Sequence, residues 1–224
     1  GWLGEQAVQK KTAVEWKYHL LEEKYAPTTV NSMLAAVNAF FKFMGWHECR
    51  VKFLKVQHCV FRAASRELSC SEYDRLRSVA APRTKLLMES MGATGIRVGE
   101  VRFLTVEAAK NGSAVIAHKG KIRTILLPQK LCRKLLKYAK SHGIASGAVF
   151  LTKSAKPLTP RQIWAEMKAL CGRAGVEASK VFPHNLRHLF AREYFRVYKD
   201  IVKLADILGH SSIQTTRIYL VTTG

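Results

Sequence analysis

The chain has 224 residues, 48% of them apolar, and carries 37 Lys and Arg against 16 Asp and Glu, a net charge of +21 with His neutral. The apolar share excludes wholesale disorder, and at about 150 residues per domain the length fits one large domain or two modest ones. Asn38 and Lys42 interrupt the greasiest stretch, residues 33–46, so no apolar run approaches the roughly 18 residues of a membrane span.

A polyanion is the partner such a charge asks for. The basic residues are spread along the chain and not gathered in one amphipathic helix, which favours nucleic acid over an anionic membrane surface. Cys49, Cys59, Cys70, Cys132 and Cys171 are odd in number and contain no C-x-x-C pair. They argue against a disulfide framework and a cysteine-rich zinc site, and fit a reducing cytosol. The opening Gly1-Trp2-Leu3-Gly4-Glu5 has no basic segment leading into an apolar run, so no secretory signal is read there. A start at Gly suggests that an N-terminal part precedes it.

In chain order, Val8–Tyr25 reads as a helix, with Val14, Tyr18 and Leu21 near helical spacing. Pro27 breaks it, and Thr28 or Thr29 caps a second helix carrying Val30, Leu34, Val37, Phe41 and Met44. The pattern is lost from Gln57 to Glu67. The expected domains are therefore a small helical unit over 1–62, a linker over 63–68 and a second domain over 69–224.

Ser69 or Ser71 caps a helix through Glu72, Tyr73, Leu76 and Val79 that Pro82 ends, and Lys85–Met91 forms the next. After Thr94-Gly95 another helix runs through Val98, Val101 and Leu104. Ala114–Ala117 and Ile122–Leu127 read as strands around the tight turn 119–121. Gln129–His142 is an amphipathic helix that Gly143 can terminate. Thr159-Pro160 opens a helix ending near Gly172 or Gly175, and Pro183 opens one through His184, Arg187 and Phe190. Ile201–Leu208 is a short helix stopped by Gly209, with 215–219 close behind. The fold class is thus mainly α with a small antiparallel β-sheet.

Four clusters carry chemistry. Arg97 falls in the first turn of its helix, with Glu100 one turn on and able to hold the guanidinium. Lys119 lies at the hairpin tip beside Lys121 and Arg123. His184, Arg187 and His188 share one helical face; zinc is disfavoured because no carboxylate sits between the histidines as in H-E-x-x-H. His210 follows the helix-ending Gly209, and Tyr219 comes nine residues later. Singly, each has an ordinary reading as an ion pair, a solvated tip, a cap or packing. As an ordered set they suit attack of a tyrosine on a DNA phosphodiester. Two guanidiniums stabilise the charge on the non-bridging oxygens without a metal, a weakly acidic tyrosine needs a base or nearby cations, and Lys or His can protonate the departing 5′ oxygen.

These motifs resemble the tyrosine recombinase (phage-type integrase) family. Thr94-Gly95-Ile96-Arg97-Val98-Gly99-Glu100 is similar to its first arginine motif, Lys119-Gly120-Lys121 to its hairpin lysine, and His184-Asn185-Leu186-Arg187-His188 to its H-x-L-R-H box. Leu208-Gly209-His210-Ser211-Ser212 and Tyr219 resemble its L-G-H box and nucleophile. The resemblance implies a helical core-binding domain followed by an α+β catalytic domain, clamping DNA between them.

It further implies that Arg97 and Arg187 bind the scissile phosphate, Lys119 protonates the leaving 5′ hydroxyl, and His184 moves the proton of Tyr219. His210 would hydrogen-bond the phosphate and Glu100 support the site, with no cofactor, metal or ATP. Tyr219 would form a 3′-phosphotyrosine link. The hairpin turn is one residue shorter than the common G-K-G-x-K form, with Lys119 preferred over Lys121, and Leu220-Val221 stand where the family often has T-H.

The texture most resembles integrases of conjugative transposons and related integrative elements, with a chromosome-dimer-resolving recombinase as the close alternative. The partners this implies are double-stranded DNA at inverted-repeat element ends and target sites, copies of the chain forming a dimer to a tetramer, and an excisionase or DNA-bending protein. The setting would be the bacterial cytoplasm, at the nucleoid. Lys52, Lys55, Arg62, Arg66, Lys121 and Arg123 are candidate DNA contacts. A catalytically silent DNA-binding module and a relaxing topoisomerase are the other function classes.

Overall fold

The computed structural model describes residues 8–56, 66–118, 121–210 and 212–220. The chain divides into two compact units, Gly1–Cys59 and Val60–Gly224. Among the described residues no helix is long and apolar enough to cross a membrane.

In the first unit, α1 (Lys10–Glu22) and α2 (Pro27–Phe43) bury Ala13, Leu20, Val30, Leu34 and Phe41 with Cys49 and Val51. Pro27 does more than break the chain. It is the first residue of α2, with Ala26 as N-cap, and neither Thr28 nor Thr29 caps it. Proline suits that position because the N–H it lacks would have no helical partner there, and its φ is already helical.

Two asparagines on one face of α2 hold the chain that follows. Asn38 donates to the carbonyl of Val51 and accepts from its N–H, both at 2.9 Å. Asn31 does the same for Leu54, at 2.9 and 2.8 Å. A side-chain amide copies one rung of a β-ladder, so backbone groups with no strand partner are still satisfied.

The second unit opens with α3 (Cys70–Val79), capped by a reciprocal pair: Glu72 N–H to the Ser69 hydroxyl at 3.1 Å, and Ser69 N–H to the Glu72 carboxylate at 2.8 Å. Pro82 again starts a helix, α4 (Pro82–Thr94), three residues before the expected onset. Gly95 ends α4 with φ +63°, and the next two residues run on without helix. A 3-10 turn (Val98–Phe103) and α5 (Val106–Asn111) replace the single helix expected after Gly95.

Strands β1 (Ser113–His118) and β2 (Lys121–Leu126) pair antiparallel, with Ser113 opposite Leu126 and His118 opposite Lys121. Ala114, Ile116 and Ile125 face the core, whereas Val115, Ile122 and Leu126 are exposed. Helices α6 (Gln129–Ser141), α7 (Pro160–Lys168) and α8 (Cys171–Ala174) complete that core with Leu135, Ile163, Met167 and Cys171.

The segment that carries the expected chemistry comes last. Helix α9 (Pro183–Tyr198) starts on its proline; α10 (Ile201–Leu208) is capped by Asp200 and ends on Gly209 at φ +62°. Helix α11 (Ile213–Leu220) begins two residues earlier than expected. Ala191, Leu204, Leu208 and Tyr219 form a small cluster that docks α10 and α11 on α9.

Candidate active site

Arg187 is the centre of the arrangement. It projects from α9 into the interior, 1% exposed. One Nη donates to the carbonyl of Gly95 at 2.5 Å, and the other to the carbonyl of Leu208 at 2.5 Å. Both carbonyls lie at helix C-termini, the negative ends of the α4 and α10 dipoles, where a buried cation is stabilised. Burial, then the charge of Arg97, still push its pKa down to about 10, against the opposing pull of Tyr219. Its Nε is buried and has no hydrogen-bond partner among the described residues.

Arg97 is placed differently from the sequence expectation. It does not sit in a helical turn but in extended backbone just before the 3-10 turn, because the left-handed Gly95 ends α4 and turns the chain. Its side chain is half-exposed. Nη1 meets Glu100 at 3.1 Å, and Nη2 donates to the carbonyl of Gly209 at 3.3 Å. Glu100 also accepts the backbone N–H of Arg97 at 2.9 Å. Burial raises the Glu100 pKa, but the donors from Arg97 and Arg123 outweigh it and hold the carboxyl below its ordinary range.

Arg123 is one of the candidate DNA contacts beside the hairpin tip. The structure turns it inward from β2, where it meets Glu100 at 2.6 Å and donates to the carbonyl of Ile207 at 3.1 Å. Two attractions compete for a guanidinium at a strand edge, and here a buried carboxylate offers more than water. A Cβ on Gly209 would lie 2.7 Å from Arg123 Cδ, so this packing needs glycine for space as well as for φ.

Tyr219, 8% exposed, reaches α9 from α11. Its hydroxyl lies 3.2 Å from His184 Nε2. The ring stacks on His188 at 4.0 Å and 24°, and the His210 ring lies 4.9 Å away. His210 Nε2 is 3.0 Å from an Arg187 Nη, and its Nδ1 is 2.9 Å from the Thr216 hydroxyl. Burial first, then the charges of Arg187, Arg97 and Arg123 and the neighbouring His184, push the His210 pKa down to about 4. Arg97, Glu100, His184 and Arg187 share a recess of about 340 Å³ with Ile96, Val98, Gly99 and Pro183.

The structure therefore gathers Arg97, Glu100, His184, Arg187, His210 and Tyr219 from four segments of the chain. Lys119 and Arg62 lie outside the described residues, and Lys121 holds a place in β2 opposite His118. Lys52, Lys55 and Arg66 are exposed. Sequence reasoning put His188 in the cluster with His184 and Arg187 but gave it no role, and it missed Thr216. His188 carried a signal, lying one helical turn after His184; Thr216, one turn before Tyr219, carried only its spacing.

Chemically, two guanidiniums line one recess, and a tyrosine hydroxyl is within hydrogen-bond reach of an imidazole. That set suits nucleophilic attack on a phosphodiester.

Residues 66–223 match the phage integrase family. The chain is 30% identical over 220 residues to tyrosine recombinase XerA of Thermococcus kodakarensis, covering 93% of this chain and 76% of that protein. It is 28% identical to tyrosine recombinase XerD of Vibrio cholerae serotype O1, over 92% of this chain and 74% of that one. Its fold is similar to that of the Tn1549 transposon integrase in complex with transposon right end DNA, at TM-score 0.74, 15% identity and coverage of 98% and 83%. XerH recombinase bound to palindromic difH substrate also gives TM-score 0.74, at 18% identity and coverage of 95% and 66%. Since the family match contains every one of the gathered side chains, and the sequence relatives run along most of both chains, this protein belongs to the phage integrase family and is a tyrosine recombinase.

Proposed function

We propose that the chain cuts and rejoins double-stranded DNA as the site-specific integrase of a mobile element, through a covalent 3′-phosphotyrosine formed on Tyr219. The contact of the Tyr219 hydroxyl with His184 Nε2 at 3.2 Å, beside two guanidiniums, carries this reading. The Tyr219 oxygen attacks phosphorus as its proton passes to His184 Nε2. The bond from phosphorus to the 5′ oxygen breaks, and that oxygen leaves with a proton, assigned to Lys119. Arg97 and Arg187 stabilise the charge on the non-bridging oxygens. Attack by a 5′ hydroxyl of another strand reverses each step, so the bond energy is kept and no ATP is needed.

On this reading the working form is a dimer to a tetramer of the chain on paired inverted half-sites, aided by an excisionase or a DNA-bending protein. A second reading, resolution of chromosome dimers, draws on the sequence likeness to the Xer recombinases. The two differ in the DNA they act on, not in the chemistry.

The test uses nicked duplexes that lose the 5′ strand on cleavage, built from the element's ends and from the host chromosome, in EDTA. A slow-migrating adduct that needs Tyr219 and forms on element ends supports the integrase; an adduct on chromosomal sites supports the resolvase. Tyr219→Phe should bind DNA and form no adduct. Binding without any adduct would leave a silent DNA-binding module, and relaxation of any supercoiled plasmid a topoisomerase.

A further inference from the structure

His210 contains a conflict between what it does in the free protein and what a bound phosphate asks of it. Arginine has donors and no acceptor, so the Arg187 Nη at 3.0 Å must donate to His210 Nε2, which therefore carries a lone pair. Neutral imidazole has one N–H, and here it is on Nδ1, donating to the Thr216 hydroxyl at 2.9 Å. A non-bridging phosphate oxygen is also an acceptor. On the strand-exchange reading that oxygen lies against Nε2; a lone pair there would repel it, so His210 must then present an N–H at Nε2.

A second proton on the ring would meet that need, but the site opposes it: His210 is surrounded by Arg187, Arg97 and Arg123, which with burial keep the ring neutral. Moving the existing proton has no such cost. It requires a partner for Nδ1 that can accept in one state and donate in the other. Thr216 is such a partner. Its side chain is 0% exposed, so water does not substitute for it, and a hydroxyl rotates between the two roles. It also lies on α11 one turn before Tyr219, so the same helix that carries the nucleophile carries this switch.

We propose that Thr216 is a positioning residue acting through His210, whose hydroxyl accepts from Nδ1 in the free enzyme and donates to Nδ1 when a phosphate occupies the site. The ring loses one proton at Nδ1 and gains one at Nε2, both exchanged with water, so its charge does not change. The hydrogen of Arg187 Nη2 that met His210 is released in the same event and becomes available to the anion, while the other hydrogen of that nitrogen stays on the Leu208 carbonyl. The phosphate-bound state and its role in strand cleavage rest on the strand-exchange reading above; the Nδ1 tautomer of the free protein does not.

Histidine-labelled protein, with ¹⁵N in the rings, reports the tautomer by long-range proton–nitrogen correlation. The free protein should show His210 protonated on Nδ1, and inorganic phosphate, raised until the signals stop moving, should transfer the proton to Nε2. Thr216→Val should lose the slowly exchanging Nδ1 proton, keep DNA affinity and cut roughly 10- to 100-fold more slowly on the nicked duplex. Thr216→Ser, which keeps the hydroxyl, should restore both the proton signal and the rate. Protonation on Nε2 in the free protein, a proton that stays on Nδ1 at every phosphate concentration, or full-rate cleavage by Thr216→Val would each overturn the proposal. A wild-type protein that forms no adduct on any DNA would instead sink the strand-exchange reading and leave the spectroscopic result standing.

Discussion

Arg123 and Glu100 form a near-buried ion pair, 2.6 Å apart, that links the hairpin strand β2 to the backbone and side chain of Arg97. Glu100 is shared: one oxygen serves the Arg97 guanidinium, the other the Arg97 N–H and Arg123. Their side chains are 17% and 11% exposed, so removing Arg123 leaves one Glu100 oxygen with only the Arg97 N–H, away from water. Arg123→Met should therefore lower stability by about 3 kcal/mol in urea unfolding, the lower end for a broken buried pair. DNA binding should keep its salt dependence. A slope in log K against log salt that fell by about 0.9 would instead make Arg123 a phosphate contact.

His188 stacks on Tyr219, the proposed nucleophile, with ring centroids 4.0 Å apart and the planes 24° from parallel. His188→Ala should weaken the docking of α11 by about 1 kcal/mol, in the range for an aromatic pair, and slow adduct formation by letting Tyr219 leave His184. His188→Phe keeps a flat ring in place and should recover most of the rate. Single-turnover cleavage of the nicked duplex checks both; equal rates for the alanine and phenylalanine variants would remove stacking as the cause.

How far these residues were legible beforehand follows from how local their causes are. The stop of α10 at Gly209, the capping serine of α3 and the Thr159-Pro160 onset of α7 were readable, because caps are settled within four residues. Pro27 and Pro82 were read only as breaks, though each opens the next helix, since a proline by itself does not say on which side the helix lies. Arg97 was placed inside a helix because the left-handed turn at Gly95 displaces the helical register. The inward turn of Arg123 depends on the carbonyl of Ile207, 84 residues further on, and no local pattern contains that contact.

Acid should unfold the protein through this site. An ordinary histidine titrates near 6.5 whereas His210 titrates near 4 in the folded state. Between those values the unfolded chain takes up a proton that the folded chain refuses, so the stability held by neutral His210 is complete above about pH 6.5 and declines as the pH falls toward 4. Glu100, held below its ordinary value, adds a loss of the same sign at still lower pH. Urea unfolding of His210→Gln across pH 7 to 4 should show a shallower decline than the wild type. Parallel curves would mean that His210 is not the group responsible.

Gly95 serves three purposes at one position. It has φ +63°, its carbonyl accepts from Arg187, and a Cβ there would lie 2.5 Å from the Phe190 ring. Gly95→Ala should lower stability by about 2–4 kcal/mol, combining left-handed strain with displacement of the partly buried Phe190 ring. Cleavage should fall further than the folded fraction does, because the carbonyl that seats Arg187 moves too. A variant whose activity tracked its folded fraction would separate Gly95 from the chemistry.

The two carbonyls that hold Arg187 belong to the ends of α4 and α10, which are more than a hundred residues apart in the chain. One side chain is thus a rivet as well as, on the proposed function, a reagent. An inactive descendant of this protein, freed from any need to cut DNA, would still be under selection to keep Arg187, because lysine spans one carbonyl and not two in fixed register. Tyr219 has no such second duty to the backbone. Decay of the family's activity in a lineage should therefore be written first at the tyrosine and last at the arginine.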